Sequence, residues 1–186
     1  MQVGIILAAG SGSRMGGPKA TIEIAGERLV DRAVRLFHDA GIRDVYVVLG
    51  AWQGDVAGAK ILINPDWQTG MGGSLRLGLE AILKNPEYSQ VIISLVDLPG
   101  MTTAAIREVA DSAQEVVAGT FNGKPGHPVK FARKYWKEIM ESATGDFGAR
   151  NFLKGRDDVF YISLDQLATG KDIDTPEDLA GLTGGL

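Results

Sequence analysis

Short apolar runs rich in β-branched residues, each followed by a stretch of helical periodicity or a glycine-rich turn, confine this chain to few architectures. The runs fall at residues 3–7, 45–49, 60–63, 91–96, 115–120 and 159–162. A strand that is apolar on both faces must be covered on both faces, and helices between such strands are the usual cover, so the pattern predicts an α/β chain with a mostly parallel sheet. Residues 29–40 carry Val30, Ala33, Val34 and Phe37 at helical spacing, and Gly41 stands where a left-handed cap belongs. Further helices are expected over 73–83, with Leu75, Leu79 and Ile82 inward, and over 103–113, 133–141 and 149–154. A last helix starts at Thr175, which can cap, with Pro176 at the first helical position and Asp178 three residues beyond the cap. Residues 119–128 form one long glycine- and proline-rich excursion that interrupts the alternation. No repeat or interdomain linker is visible, and a chain of 186 residues is expected to form one domain, 1–186, around a substantial core.

The first strand runs into Leu7-Ala8-Ala9-Gly10-Ser11-Gly12-Ser13-Arg14-Met15-Gly16-Gly17-Pro18-Lys19. Small side chains leave backbone N–H groups free to converge on an anion, while Arg14 and Lys19 bring full positive charge, so this turn suits phosphates. A dinucleotide fingerprint would need G-x-G-x-x-G and an acid closing the next strand, yet the glycines fall at 10, 12 and 16 and the second strand ends at Leu49-Gly50-Ala51. A Walker loop would need Gly-Lys followed by a hydroxyl, yet Pro18 precedes Lys19 and Ala20 follows it.

Ligands of α/β sheets bind outside the carboxyl ends of the strands, so the other loops to search follow the later strands. The fourth run ends in Val96-Asp97-Leu98-Pro99, which places Asp97 at that edge as a Mg²⁺ ligand beside phosphates, or as a turn-forming residue. Asp174 is either a second metal carboxylate or an acid that stabilises a helix N-terminus. In the segment Asn64 to Leu79, the glycines around Gly70, Met71, Gly73 and Ser74 permit close approach to a flat ligand. Ser74 either meets a base edge or merely begins a helix. Trp52, Trp67 and Trp136 read as packing groups rather than stacking platforms. A metal-held triphosphate attacked by an acceptor phosphate needs no general base, which agrees with a chain of only two histidines and no cysteine.

The missing cysteines exclude disulfides and thiolate chemistry and suit a reducing cytoplasm. No apolar run is long enough to span a bilayer, and no signal segment is apparent, so a cytoplasmic protein without a membrane partner is expected. The net charge of −4 argues against a nucleic-acid footprint.

Taken together and in order, LAAGSGSRMGGPK, NPDWQTGMGGSLRLGL, VDLP, GHPVKF, GDFGAR and DIDTPEDL resemble the motifs of the MobA-like NTP transferases, in their molybdenum-cofactor cytidylyltransferase branch. The resemblance covers essentially the whole chain. It implies a single Rossmann-like three-layer nucleotidyltransferase fold, Mg²⁺ as cofactor, and transfer of a nucleoside monophosphate to a phosphorylated acceptor with release of pyrophosphate. By this similarity Gly10, Ser11, Gly12, Arg14 and Lys19 hold the triphosphate, and Leu7, Ala8, Ala9 and Ser13 belong to the same nucleotide-binding segment. Gly70, Met71, Gly73 and Ser74 meet the base, and Asp97 binds metal. Guanylyl-transferring members tend to carry Gly where this chain has Ala9, so the resemblance favours CTP with a molybdopterin-type acceptor. A nucleotidyltransferase using GTP, UTP or ATP on another phosphorylated small molecule, and a non-catalytic nucleotide-binding delivery protein, remain the alternatives. His127 is either an acceptor contact or a histidine without catalytic duty, and Asp146 is either a helix cap or an acceptor-facing group. A monomer that hands its product to a recipient molybdoenzyme is expected.

Overall fold

The computed structural model describes residues 1–183. Its chain order is β1 (Gln2–Leu7), β2 (Glu23–Ile24), β3 (Glu27–Arg28), α1 (Leu29–Asp39), β4 (Val45–Leu49), β5 (Lys60–Ile63), α2 (Met71–Leu83), β6 (Gln90–Leu95), α3 (Thr103–Asp111), β7 (Val116–Phe121), β8 (Lys124–Ala132), α4 (Trp136–Ser142), α5 (Arg150–Leu153), β9 (Phe160–Ser163) and α6 (Pro176–Thr183). The main sheet has seven strands in the order β5-β4-β1-β6-β8-β7-β9. All neighbouring pairs are parallel except the two that β8 makes, with β6 and with β7.

From β1 the chain crosses to β4 and β5 on one side, then returns to lay β6 on the other. The crevice between β1 and β6 is therefore where strand order reverses. Register brings the two strand ends level, with Leu7 opposite both Val48 and Leu95. One sheet face packs with α1 and α3 around Ile6, Val47, Phe37 and Ile106; the other packs with α2 and α4 around Ile5, Leu79, Phe131 and Trp136. Burying each such side chain contributes about 1.5–3 kcal/mol. The fully buried Trp136 also satisfies its ring, with Nε1 donating to the Phe131 carbonyl at 3.2 Å. Among the described residues no helix is long and apolar enough to cross a membrane.

The expected helix over 133–141 is a 3₁₀ turn, Arg133–Tyr135, followed by α4. The helix expected from residue 73 begins at Met71, its start disguised by the glycines on either side. The larger correction is the excursion at 119–128, expected only to interrupt the alternation of strand and helix, which is a hairpin. Asn122 and Gly123 both have positive φ, 50° and 73°, and they turn β7 into β8 as a two-residue Asn-Gly turn does. The short β2–β3 hairpin was likewise absent from the sequence expectation.

Candidate active site

Gly12 shapes the turn after β1. With φ +57°, it accepts hydrogen bonds at its carbonyl from the N–H groups of Met15 (2.7 Å) and Gly17 (3.3 Å), so the turn curls on itself. A Cβ at Gly12 would stand 2.1 Å from the Gly17 carbonyl oxygen, and only glycine fits. The turn, the start of α2 and the end of β6 enclose a cavity of about 430 Å³. Leu7, Ala8, Ala9, Gly10, Ser11, Gly12, Ser13, Arg14 and Lys19 line one side; Gly70, Met71 and Ser74 line another, joined by Trp67 and Gln68. Asp97, Asp146 and Asp174 complete the wall. Gly73 and His127 are not among the lining residues.

Ser74 is buried, and its hydroxyl oxygen accepts from the Asn64 amide at 3.0 Å, which leaves its own proton free to donate. Gly73 faces Thr69 and Asn64 instead. His127 lies on β8 with Nδ1 3.2 Å from the Ile93 carbonyl. Burial depresses its pKa below the ordinary value, against the opposing pull of that carbonyl and of Asp97. Trp67, expected only to pack, is half-buried at the cavity wall. Trp52 instead lies under the Arg28 guanidinium, 5.3 Å from its ring centroid.

The carboxylates meet because two loops dock on each other. The Asp97 carbonyl accepts from the Ile173 N–H at 3.1 Å, and the Gly100 carbonyl accepts from the Thr169 N–H at 3.2 Å. Ile173 is buried and Asp174 beside it lines the cavity, while Asp172, exposed and outside that lining, clusters with Asp97 and Asp174. One carboxylate oxygen from each lies within 4.8 Å of the others. Asp172 was missed by the sequence reading, although the alternation Asp-Ile-Asp carried the signal.

Lys19 Nζ donates to Asp97 Oδ2 at 2.7 Å and to Asp174 Oδ1 at 2.6 Å, while Arg14 Nη2 donates to Asp174 Oδ2 at 2.9 Å. Burial alone would lower the Lys19 pKa; its hydrogen bonds to Asp174 and Asp97 outweigh that and raise it. The Lys19 hydrogen bond in turn holds the Asp174 carboxyl below its ordinary value. Asp97 Oδ1 is buried and accepts no hydrogen bond from the protein. An orphaned carboxylate oxygen among hard oxygen donors fits a divalent cation such as Mg²⁺ or Mn²⁺.

A glycine-rich anion cradle with two basic side chains, facing carboxylates across the switch point of an α/β sheet, defines a protein that handles the phosphates of a nucleotide. The chain belongs to the MobA-like NTP transferase domain family, whose pattern matches residues 4–159. It is 30% identical to nicotine blue oxidoreductase from Paenarthrobacter nicotinovorans over 95% of this chain and 93% of the relative. Rv0371c from Mycobacterium tuberculosis H37Rv superposes with TM-score 0.83 at 24% identity, covering 99% of this chain and 98% of that one. A manganese complex of the same mycobacterial protein superposes at TM-score 0.77 and 23% identity, over 100% and 99%. A nucleotidyl transferase from Methanothermobacter superposes at 0.81 and 18% identity, over 99% and 96%. These structural likenesses carry the fold, which is Rossmann-like; the family match carries the class, a nucleotidyltransferase.

Proposed function

We propose that this nucleotidyltransferase transfers CMP from CTP to a molybdopterin-type phosphorylated acceptor. The carrying observation is one cavity in which the glycine-rich turn, Arg14 and Lys19 face Asp97 and Asp174, with the exposed Asp172 clustered beside those two carboxylates. The triphosphate lies along the turn from Gly10 to Ser13, where backbone N–H groups, the positive end of α2 and the Arg14 guanidinium meet its charge. An acceptor phosphate oxygen attacks the α-phosphorus, the new O–P bond forms, and the bond from the α-phosphorus to the bridging oxygen breaks with departure of pyrophosphate. The attacking oxygen is already anionic, so no side chain needs to take a proton. Arg14 and Lys19 neutralise the charge that gathers on pyrophosphate. Asp97 and Asp174, with Asp172, would hold a Mg²⁺ or Mn²⁺ ion, which when bound supplies further neutralisation of the phosphates. The donor-capable Ser74 hydroxyl contacts the base, and Ala9 favours cytosine through the family resemblance. Asp146 and His127 serve the acceptor side.

The test is pyrophosphate release measured with CTP, GTP, UTP or ATP, each with acceptor and Mg²⁺. CTP is expected to lead, and Asp97→Asn to lower the rate by about 10²–10³-fold, the loss typical of a deleted electrostatic contact at the reacting centre. Wild-type turnover in Asp97→Asn would remove the metal assignment, and faster turnover with another nucleotide would transfer the base assignment. The name of the Paenarthrobacter relative motivates a second reading, a redox reaction at the same cavity. Hydride transfer from a reduced nicotinamide to an added two-electron acceptor dye, catalysed by this chain with no pyrophosphate formed under any nucleotide, would favour it.

A further inference from the structure

Lys19 is bonded to the same carboxylates that would hold the divalent cation. Its Nζ lies 2.7 Å from Asp97 Oδ2 and 2.6 Å from Asp174 Oδ1. A small divalent ion binds carboxylate oxygens at about 2.0–2.1 Å. Lys19 therefore already takes up one oxygen from each of two of the three clustered carboxylates, and its positive charge opposes a second cation beside it. Asp97 Oδ1 remains buried and without a protein donor, so Lys19 satisfies one oxygen of Asp97 and leaves the other waiting.

We propose that Lys19 is an internal counter-ion that keeps the carboxylate cluster closed to divalent cations until a triphosphate draws it away. The proposal rests on the nucleotidyltransferase reading and adds an order to it. Lys19 follows directly from the glycine-rich turn that would hold the phosphates, and its flexible stem lets the ammonium exchange carboxylate oxygens for phosphate oxygens with a modest swing. Once it leaves, three carboxylates face one another without their ammonium partner, and the cluster gains affinity for the ion. Triphosphate and cation thus each favour the other's binding through one side chain, and by linkage the coupling is equal in both directions. Arg14, exposed and joined only to Asp174, does not close the cluster, because it leaves Asp97 untouched.

A purely structural salt bridge makes the opposite demand. If Lys19 served only to tie the loop at 172–174 to the sheet, removing it would loosen the carboxylates and weaken cation binding. Mn²⁺ binding to the full chain without nucleotide, followed by the loss of the free-ion electron paramagnetic resonance signal, separates the two. Lys19→Met is expected to bind Mn²⁺ at least about tenfold more tightly than wild type, equivalent to about 1.4 kcal/mol. Lys19→Gln, also uncharged, is expected to match it, and Lys19→Arg to stay as weak as wild type. Equal or weaker binding in both uncharged variants overturns the proposal. Adding Asp97→Asn to Lys19→Met is expected to abolish the gain. If the gain persists in that double variant, the ion lies elsewhere and the metal assignment falls together with the proposal. If wild type and Lys19→Met bind alike and both lose Mn²⁺ on Asp97→Asn, the metal assignment stands and the counter-ion role alone falls.

Discussion

Asp174 shows how much one side chain can be asked to do. It receives Lys19 and Arg14 together, and the Lys19 hydrogen bond in particular holds its carboxyl below the ordinary 3.8. A carboxyl whose folded pKa is depressed binds fewer protons when folded than when unfolded. Its contribution to stability is present above the unfolded value and is lost as pH falls through the folded one. Thermal melts of wild type between about pH 5 and pH 2 should therefore fall with a slope that Lys19→Met flattens, since the variant lacks the donor that depresses Asp174. An identical slope in the two proteins would separate Asp174 from the acid limb. Gly12 makes a different demand, one of space. Alanine there must hold a left-handed backbone at roughly 1–2 kcal/mol and push its Cβ against the Gly17 carbonyl, 2.1 Å away. Gly12→Ala should lower the melting temperature by a few degrees, about 2–4 °C per kcal/mol at this chain size. It should also weaken CTP binding by at least about tenfold in calorimetry, because the turn itself is the cradle. A variant that melts lower but binds CTP as well as wild type would make the turn a structural feature only.

At the scale of elements, the start of α6 is what holds the metal-side loop in place. Asp178 accepts at Oδ2 from the backbone N–H groups of Asp174 (3.2 Å) and Thr175 (3.0 Å), while the Thr175 hydroxyl accepts from the Asp178 N–H at 3.3 Å. This reciprocal cap was readable from Thr-Pro-Glu-Asp, since the residue types and their spacing carry the mechanism by themselves. The strands β1, β4 and β6 were equally readable, because a strand covered on both faces has no polar side to blur its pattern, whereas the edge strand β5 was legible from its short apolar run alone. β8 was not, because Lys124-Pro125-Gly126-His127-Pro128 carries the residues of a loop, and tertiary pairing with β6 and β7 overrode local preference. Asn122-Gly123 was the signal passed over. Within the site, Asp97 and Asp174 could be named from their strand end and helix start, whereas Asp172 depended on which way the loop turned around buried Ile173. Since the cap fixes that loop, Asp178→Ala is expected to cost about 0.5–2 kcal/mol in urea unfolding, typical for a lost cap, and also to weaken Mn²⁺ binding although Asp178 is not one of the clustered carboxylates. Asp178→Asn, which keeps the accepting oxygen, should recover most of both. Recovery of stability without recovery of Mn²⁺ binding would uncouple the cap from the metal side.

For the molecule as a whole, the candidate site is where the two ends of the described chain meet. Arg14 and Lys19 reach Asp174 across 160 and 155 residues of sequence, and the Asp97 carbonyl receives the Ile173 N–H from the same late segment. The sheet interior needs no such tie, because β1 and β6 are hydrogen-bonded along their length and buried on both faces. In the loops over the carboxyl ends none of residues 10–19 is buried and of residues 169–178 only Ile173 is, and local opening is expected to concentrate where buried apolar contacts are few. A nucleotide and cation that bind both loops should therefore quiet them together. Hydrogen exchange with CTP and Mg²⁺ is expected to slow across residues 10–19 and 169–178 in the same titration. A ligand at about a hundred times its Kd adds about 2.7 kcal/mol to whatever opening it opposes, which slows exchange through that opening by about a hundredfold. Protection confined to residues 10–19 would mean that the triphosphate sits on the turn without engaging the carboxylates. The late segment would then be a fixed wall of the cavity, not a partner in closing it.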